Sequence, residues 1–499
     1  MKSTATIAAL DIGSNSFQLI VARQISGRLE ILHKEKLKVH LAEGLDAAGN
    51  LSDDAIVRAE TALKEFATTL QGFNANHVKI VATYTVRKAK NKYHFIQRAK
   101  KIIPFNIDVI SGLEEARLIY QGVANYRVDN DTRLVIDIGG GSTEFIVGKG
   151  ANTHQLASRS MGCVTFQQMF FADNSISHDS FNRAIVAASQ EIEPILNAYQ
   201  NTNWQCAIGT SGSFKAILSI VQHTLVNDSE DDQMTLSDLN VIKHKLISFG
   251  DIEYIELPGL SDERKGIICS AVAIAIACFE LLNIKSLTYC DFSLREGVLH
   301  ELIDCSDNHN LKQQSIDNFA QRFDCDKSQS SRVKVMLTWL FEHANKGWNV
   351  NSQLQKIVFF AADVYEVGLS ISSSNIRKHS AYIIANSLLP GFSQEEQQLL
   401  TLLVRNHRKK LKFESEQLES NTEFKEFMQA ISIFRLALLF TQKRQCDFVK
   451  IDEIRFLETS IDVIFEQNWW QEKPLLQADF EKEAMLLEPH GINLNCLNR

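Results

Sequence analysis

Apolar runs with period-two alternation over residues 6–12, 17–24 and 29–41 predict three consecutive strands at the N-terminus. A helical pattern then runs from Ser52, with Asp53 and Asp54 in its first turn, to about Gln71. Strands are expected over 77–82 and 107–110, with a helix over 91–103 between them and another opening at Ser111. A second series starts with apolar runs over 133–147. Helices follow over 162–171, 177–199, 213–222, 236–248 and 267–282, with a strand before Gly209 and another over 286–289. Alternating strands and helices of this kind predict an α/β protein. From about residue 306 glycine becomes rare. Helical patterns take over at 312–323, 327–345, 351–367, 376–388, 394–407 and 424–441. The expected organisation is two α/β domains over 1–124 and 125–305, a helical domain over 306–445 and a small mixed domain over 446–499.

One loop is written twice. Ala8-Ala9-Leu10-Asp11-Ile12-Gly13-Ser14-Asn15-Ser16 has a counterpart in Leu134-Val135-Ile136-Asp137-Ile138-Gly139-Gly140-Gly141-Ser142-Thr143-Glu144. Each is an apolar strand ending in Asp-Ile-Gly, then small hydroxyl residues, then another apolar run. Backbone N–H groups in such turns can cradle a phosphate while the Asp holds a cation beside it. A single Asp-Ile-Gly is an ordinary hairpin end; the duplication gives it weight. A third turn, Gly209-Thr210-Ser211-Gly212-Ser213, again follows an apolar stretch.

At 499 residues the chain is too long for one core. Its formal net charge of -8 argues against a nucleic-acid-coating protein, so an anionic ligand needs a locally positive cleft. The nine cysteines form no C-x-x-C pair, which fits free thiols in a reducing cytoplasm. No signal-peptide pattern opens the chain. The longest apolar stretch, 271–282, is interrupted by Glu280 and reads as a buried helix, so no membrane partner is expected.

Four groups can carry chemistry. Ser111 and Glu114 fit an S-x-x-E capping box, which leaves Glu115 either to complement the helix dipole or to accept a proton from an attacking water. Arg87, after a Thr-rich turn, can orient phosphate oxygens. Asp137 and Glu144 bracket the second loop and either face solvent or share one Mg²⁺. Lys34, Lys36, Lys38 and His40 share a strand face, which is either a solvated face or a basic rim for a polyphosphorylated ligand.

Taken in order, these segments resemble a known family. They are Asp11-Ile-Gly-Ser-Asn-Ser16, Thr83-x-Thr with Arg87, Ser111-Gly-x-Glu-Glu-Ala-Arg117, Asp137-Ile-Gly-Gly-Gly-Ser-Thr-Glu144, Gly209-x-Ser-Gly212, Leu257-Pro-Gly-Leu-Ser-x-Glu-Arg264 and Leu294-Arg-Glu-Gly297. Together they resemble the exopolyphosphatase / guanosine pentaphosphate phosphohydrolase family over nearly the whole chain. The resemblance implies an actin/Hsp70/sugar-kinase type fold with two ribonuclease-H-like domains, a helical HD-like domain and a small C-terminal domain. It implies Mg²⁺-dependent phosphate hydrolysis, with Glu115 as general base. Asp137 and Glu144 match the metal and phosphate-site acids, and Asn15, Arg87, Gly139 and Ser142 match phosphate contacts.

The expected substrate is guanosine 5′-triphosphate 3′-diphosphate, losing its terminal 5′-phosphate, with inorganic polyphosphate as the alternative and a homodimer as the assembly to test. A sugar-kinase-like phosphotransferase and a non-enzymatic nucleotide-binding regulator are the competing classes. In the helical domain Ala362-Asp363-Val364-Tyr365-Glu366 puts Tyr365 where a His–acid pair would supply ligands. That domain is expected to be structural or ligand-extending.

Overall fold

The computed structural model describes all residues except 1–5, 26–27, 127–130, 225–232, 304–307, 346, 413–423, 446–448 and 498–499. The chain forms two compact units, Met1–Asn308 and His309–Arg499.

The first unit contains two sheets with the same core order. In the first, strands β1 (Thr6–Ile12), β2 (Ser16–Ile25), β3 (Arg28–Lys38), β4 (Val78–Ala82) and β5 (Ile107–Val109) stand in the order β3-β2-β1-β4-β5. In the second, β6 (Thr132–Ile138), β7 (Thr143–Lys149), β8 (Asn152–Arg159), β9 (Cys206–Thr210), β10 (Gln233–Met234) and β11 (Leu287–Tyr289) stand in the order β10-β11-β9-β6-β7-β8. Each sheet opens with an antiparallel meander, β1-β2-β3 or β6-β7-β8. Each then continues through parallel strands, β4 and β5 or β9 and β11. The duplicated loop is therefore the hairpin turn between the first two strands of each sheet.

The central strands are buried on both faces, which is why they read as continuous apolar runs. Period-two alternation divides their side chains between two cores. Ala8, Leu10 and Ile12 of β1 pack outward against the helices Asp53–Thr69 and Lys92–Lys100, while Ile7 and Ala9 face inward. Leu134, Ile136 and Ile138 of β6 likewise belong to the outer core of the second sheet, and Val135 to the inner one. The inner core also holds Leu118 and Val123 of the helix Gly112–Tyr126 and Val298 and Leu299 of the helix Leu294–Ile303. These two helices cross with backbones nearly touching: a Cβ on Gly297 would sit 1.9 Å from the Leu118 carbonyl oxygen, and one on Gly122 would sit 2.1 Å from that of Ser293.

The helix Asp262–Leu282 is long and apolar enough to cross a membrane, but its residues 268–279 are all buried in the outer core of the second sheet. Two details depart from the sequence reading. The segment after β4 is the short helix Tyr84–Lys88 rather than an open turn, and β8 is an edge strand that the pattern did not reveal.

In the second unit, helices including Lys327–Ala344, Ser352–Val364, Gln394–Asn406 and Phe424–Thr441 build one core. Strands β12 (Ile451–Phe456), β13 (Ser460–Phe465) and β14 (Asn493–Cys496) bring Ile454, Phe456, Ile461, Val463 and Phe465 into that same core. Tyr365 is buried edge-on against the His407 and Phe434 rings. Nearby Asp363 is taken by Ser330 and Lys334.

Candidate active site

Alternation fixes where the two loop acids lie. Asp11 shares a face with Ile7 and Ala9, and Asp137 with Val135, so both point from the inner faces of their sheets at the carboxyl ends of the first strands. Ligands of α/β folds gather at such strand ends. Here the two hairpin turns meet: a Cβ on Gly140 would sit 3.0 Å from the Ser14 Cβ, a contact that only the missing side chain keeps open. The third turn joins them, because the Ser211 and Ser213 hydroxyls donate to the Ile138 carbonyl at 3.0 and 2.9 Å.

A cavity of about 670 Å³ opens between these turns. Asn15, Glu115, Asp137, Gly139 and Ser142 all line it, as do all three glycine-rich turns. Arg87 and Glu144 stand behind that surface. Arg87 Nη1 donates to Glu115 Oε2 at 3.0 Å and to the Ile110 carbonyl at 2.9 Å. Glu144, directly paired with Asp137 across the β6–β7 ladder, accepts from the Ser158 hydroxyl at 2.7 Å and from Ser142.

The helix carrying Glu115 begins after Ser111, whose hydroxyl accepts from the Glu114 N–H at 3.1 Å. The sequence suggested that Glu114 would reach back to complete a capping box. Its two carboxylate oxygens also accept from Arg117 at 2.7 and 2.8 Å, a role the capping spacing does not predict. Arg117 also bridges to Glu301, which holds Lys79 at 3.2 Å.

The electrostatics are those of crowded acids. Burial pushes the Glu115 carboxyl above its ordinary range, and Arg87 opposes that rise. Burial also raises Asp137, against the Thr210 and Ser293 hydroxyls that donate to its Oδ2. Glu144 is pushed well up by burial, then by Glu115 and Asp137. Asp11 rises to about 7 through burial and the charges of Glu115 and Asp137, and its Oδ1 is buried without a hydrogen-bond partner. A site with this much negative potential calls for protons or a cation.

Among the described residues no three His, Cys, Asp or Glu side chains form a ready-made metal cluster. The donors present are hard oxygens. Magnesium fits such a site, because it keeps several waters and takes one or two carboxylates plus substrate phosphates.

Several further cavity residues lie within the sequence motifs, although pattern alone gives them no role. Asp11 stood in the first loop motif, Arg264 ends the Leu257–Arg264 motif, and Arg295 lies in Leu294–Gly297. Those motifs were the available signal. Thr210 stood in the third turn, but its bond to Asp137, and that of Ser293, could not be read because Asp137 is far away in sequence.

Comparison with known proteins agrees over most of the chain. The Ppx/GppA phosphatase family model matches residues 20–305, and the model of domain III of Ppx/GppA phosphatases matches residues 311–484. A Ppx/GppA enzyme from Aquifex aeolicus is 25% identical, with a TM-score of 0.51 over 60% of this chain and 99% of its own. An exopolyphosphatase from Cytophaga hutchinsonii is 26% identical, with a TM-score of 0.54 over 60% of this chain and 98% of its own. An exopolyphosphatase-like protein at 20% identity and a TM-score of 0.54 shares the fold over 60% of this chain and 97% of its own. With one mixed α/β unit of actin-like kind, a helical C-terminal unit and both family models matched, the chain belongs to the Ppx/GppA phosphatase family, whose members are hydrolases of phosphoanhydride bonds.

Proposed function

We propose that this protein removes the terminal 5′-phosphate of guanosine 5′-triphosphate 3′-diphosphate, giving the tetraphosphate nucleotide and inorganic phosphate. The observation that carries the reading is the placing of Glu115 beside Asp11 and Asp137 in a cavity walled by three glycine-rich turns. Water attacks the terminal phosphorus and Glu115 takes its proton, while the anhydride P–O bond breaks and the bridging oxygen leaves with the nucleotide. Gly139, Ser142 and Asn15 hold the transferring phosphoryl group.

Asp137, with Glu144 behind it and Asp11 as an added carboxylate, would hold Mg²⁺. When bound, that ion neutralises charge on the phosphate oxygens. On this reading each sheet belongs to a ribonuclease-H-like domain, and the helical unit is an HD-like domain kept for structure. The enzyme works as a cytoplasmic homodimer, a compartment that fits nine cysteines with no C-x-x-C pair.

Stepwise release of phosphate from inorganic polyphosphate is the second reading. It is favoured by Lys34 and Lys36 on the cavity wall and by the likeness to a protein called an exopolyphosphatase. Phosphate release from both substrates, measured side by side with wild type and Glu115→Gln, tests both. The variant is expected to lose roughly 10²–10⁴-fold in kcat. A variant that keeps wild-type turnover would remove Glu115 from the chemistry, and turnover on neither substrate would end both readings.

A further inference from the structure

We infer that Arg87 is a positioning residue that fixes the Glu115 carboxylate across a strand-to-helix turn, rather than a grip on substrate phosphate. The inference rests on the reading of Glu115 as general base. Arg87 comes from the short helix Tyr84–Lys88 and does not line the cavity. One nitrogen, Nη1, spans the turn and donates both to the Ile110 carbonyl before the helix and to Glu115 in its first turn. Its other terminal nitrogen passes over the helix start, 3.5 Å from where a Gly112 Cβ would sit. The pair is screened from solvent, with side-chain exposures of 13% and 10%.

Such a clamp has a chemical purpose. Asp137 acts on Glu115 as a like charge, and Glu115 acts in the same way on Asp11 and Glu144. Without a fixed counter-charge the carboxylate would turn away from them or hold a proton. Tied by one guanidinium nitrogen to Oε2, it keeps a defined direction, with Oε1 left for the attacking water. A planar, permanently charged donor suits that task better than an ammonium.

The test is a double-mutant cycle on phosphate release from guanosine pentaphosphate nucleotide and from long polyphosphate. Arg87→Lys is expected to lower kcat at least about ten-fold with KM changed by less than about two-fold, and to add no further loss to Glu115→Gln. Arg87→Ala is expected to regain activity when guanidinium is supplied, with a melting temperature near wild type. A raised KM, or an equal further loss in the Glu115→Gln background, would make Arg87 a phosphate contact and overturn the inference. So would a lowered melting temperature with no guanidinium rescue, which marks a purely structural role. Glu115→Gln alone is measured first: if it turns over normally, the general-base reading fails before the cycle is read.

Discussion

Asp137 and Glu144 are direct cross-strand partners in the β6–β7 ladder, so the two acids lie side by side on one sheet face. The matching pair in the first sheet is Asp11 and Gln18. The duplication has therefore kept one acid per sheet and doubled it on only one side. Of that doubled pair, Asp137 lines the cavity and Glu144 sits 1% exposed behind it. Asp137→Asn should raise the Mg²⁺ concentration needed for half-maximal rate. Glu144→Gln should raise it much less, because a side chain whose proton affinity is already high is well mimicked by an amide. A metal titration that Asp137→Asn leaves unmoved would take Asp137 out of the metal shell.

Asp11 sets a pH dependence whose sign can be worked out. Its folded value is about 7 against an ordinary value of 3.8. The unfolded chain thus gives up this proton at lower pH than the folded one. Between those values folding binds more protons than unfolding, so stability falls as pH rises and levels off above about 7. Glu115, Asp137 and Glu144, all raised, add to the same slope. Melting curves of metal-free protein should show the loss between about pH 4 and pH 7, and Asp11→Asn should make it shallower. Added Mg²⁺ should raise the melting temperature more at pH 8 than at pH 6. A metal-free protein whose melting temperature rises across this window would contradict the assignment.

Glu114 shows what the sequence could and could not reveal. The Ser111 cap was legible because the donor is three residues away, and the Asp-Ile-Gly turns were legible because a strand, a glycine and a register are local matters. The partner of Glu114 was not. Arg117 lies one turn along the helix, but the Glu301 and Lys79 that complete the buried network are 184 and 222 positions apart from Arg117 and Glu301 respectively. Edge strand β8 stayed hidden for another reason: its residues are mostly half-exposed, so burial imposed no clean alternation. The helical C-terminal unit was read correctly as helical because its amphipathic patterns are long.

The same network changes what Glu114→Gln should do. A capping residue would tolerate Gln, which also serves a capping box. A buried carboxylate holding Arg117 bidentately would not. The variant should cost about 3 kcal/mol of stability, near the lower end for breaking a buried ion pair, since Glu301 still faces Arg117. Its kcat when folded should stay near wild type, because Glu115 keeps Arg87. Denaturant unfolding and steady-state kinetics separate the two effects. Unchanged stability would return Glu114 to a simple cap.

Lys36, which with Lys34 lines the cavity from β3, is expected to act electrostatically on the substrate. The ladder pairs Asp11 with Gln18 and Gln18 with Lys36, so the three stand on one rung and share a face. Two strand spacings place Lys36 about 10 Å from Asp11, the distance of a phosphate further along a chain from the one being cleaved. Lys36 lines the cavity and its pKa is lowered, first by burial and then by Arg264. Lys38 lies outside the lining and faces Glu263 at 3.7 Å. Lys36→Glu should therefore raise KM for both substrates, and for long polyphosphate more than for the nucleotide. Lys38→Glu should act weakly, and its effect should shrink with salt, since exposed charges are screened over about 8–10 Å. Equal losses from both variants, insensitive to salt and to substrate, would leave this strand as a solvated face that takes no part in binding.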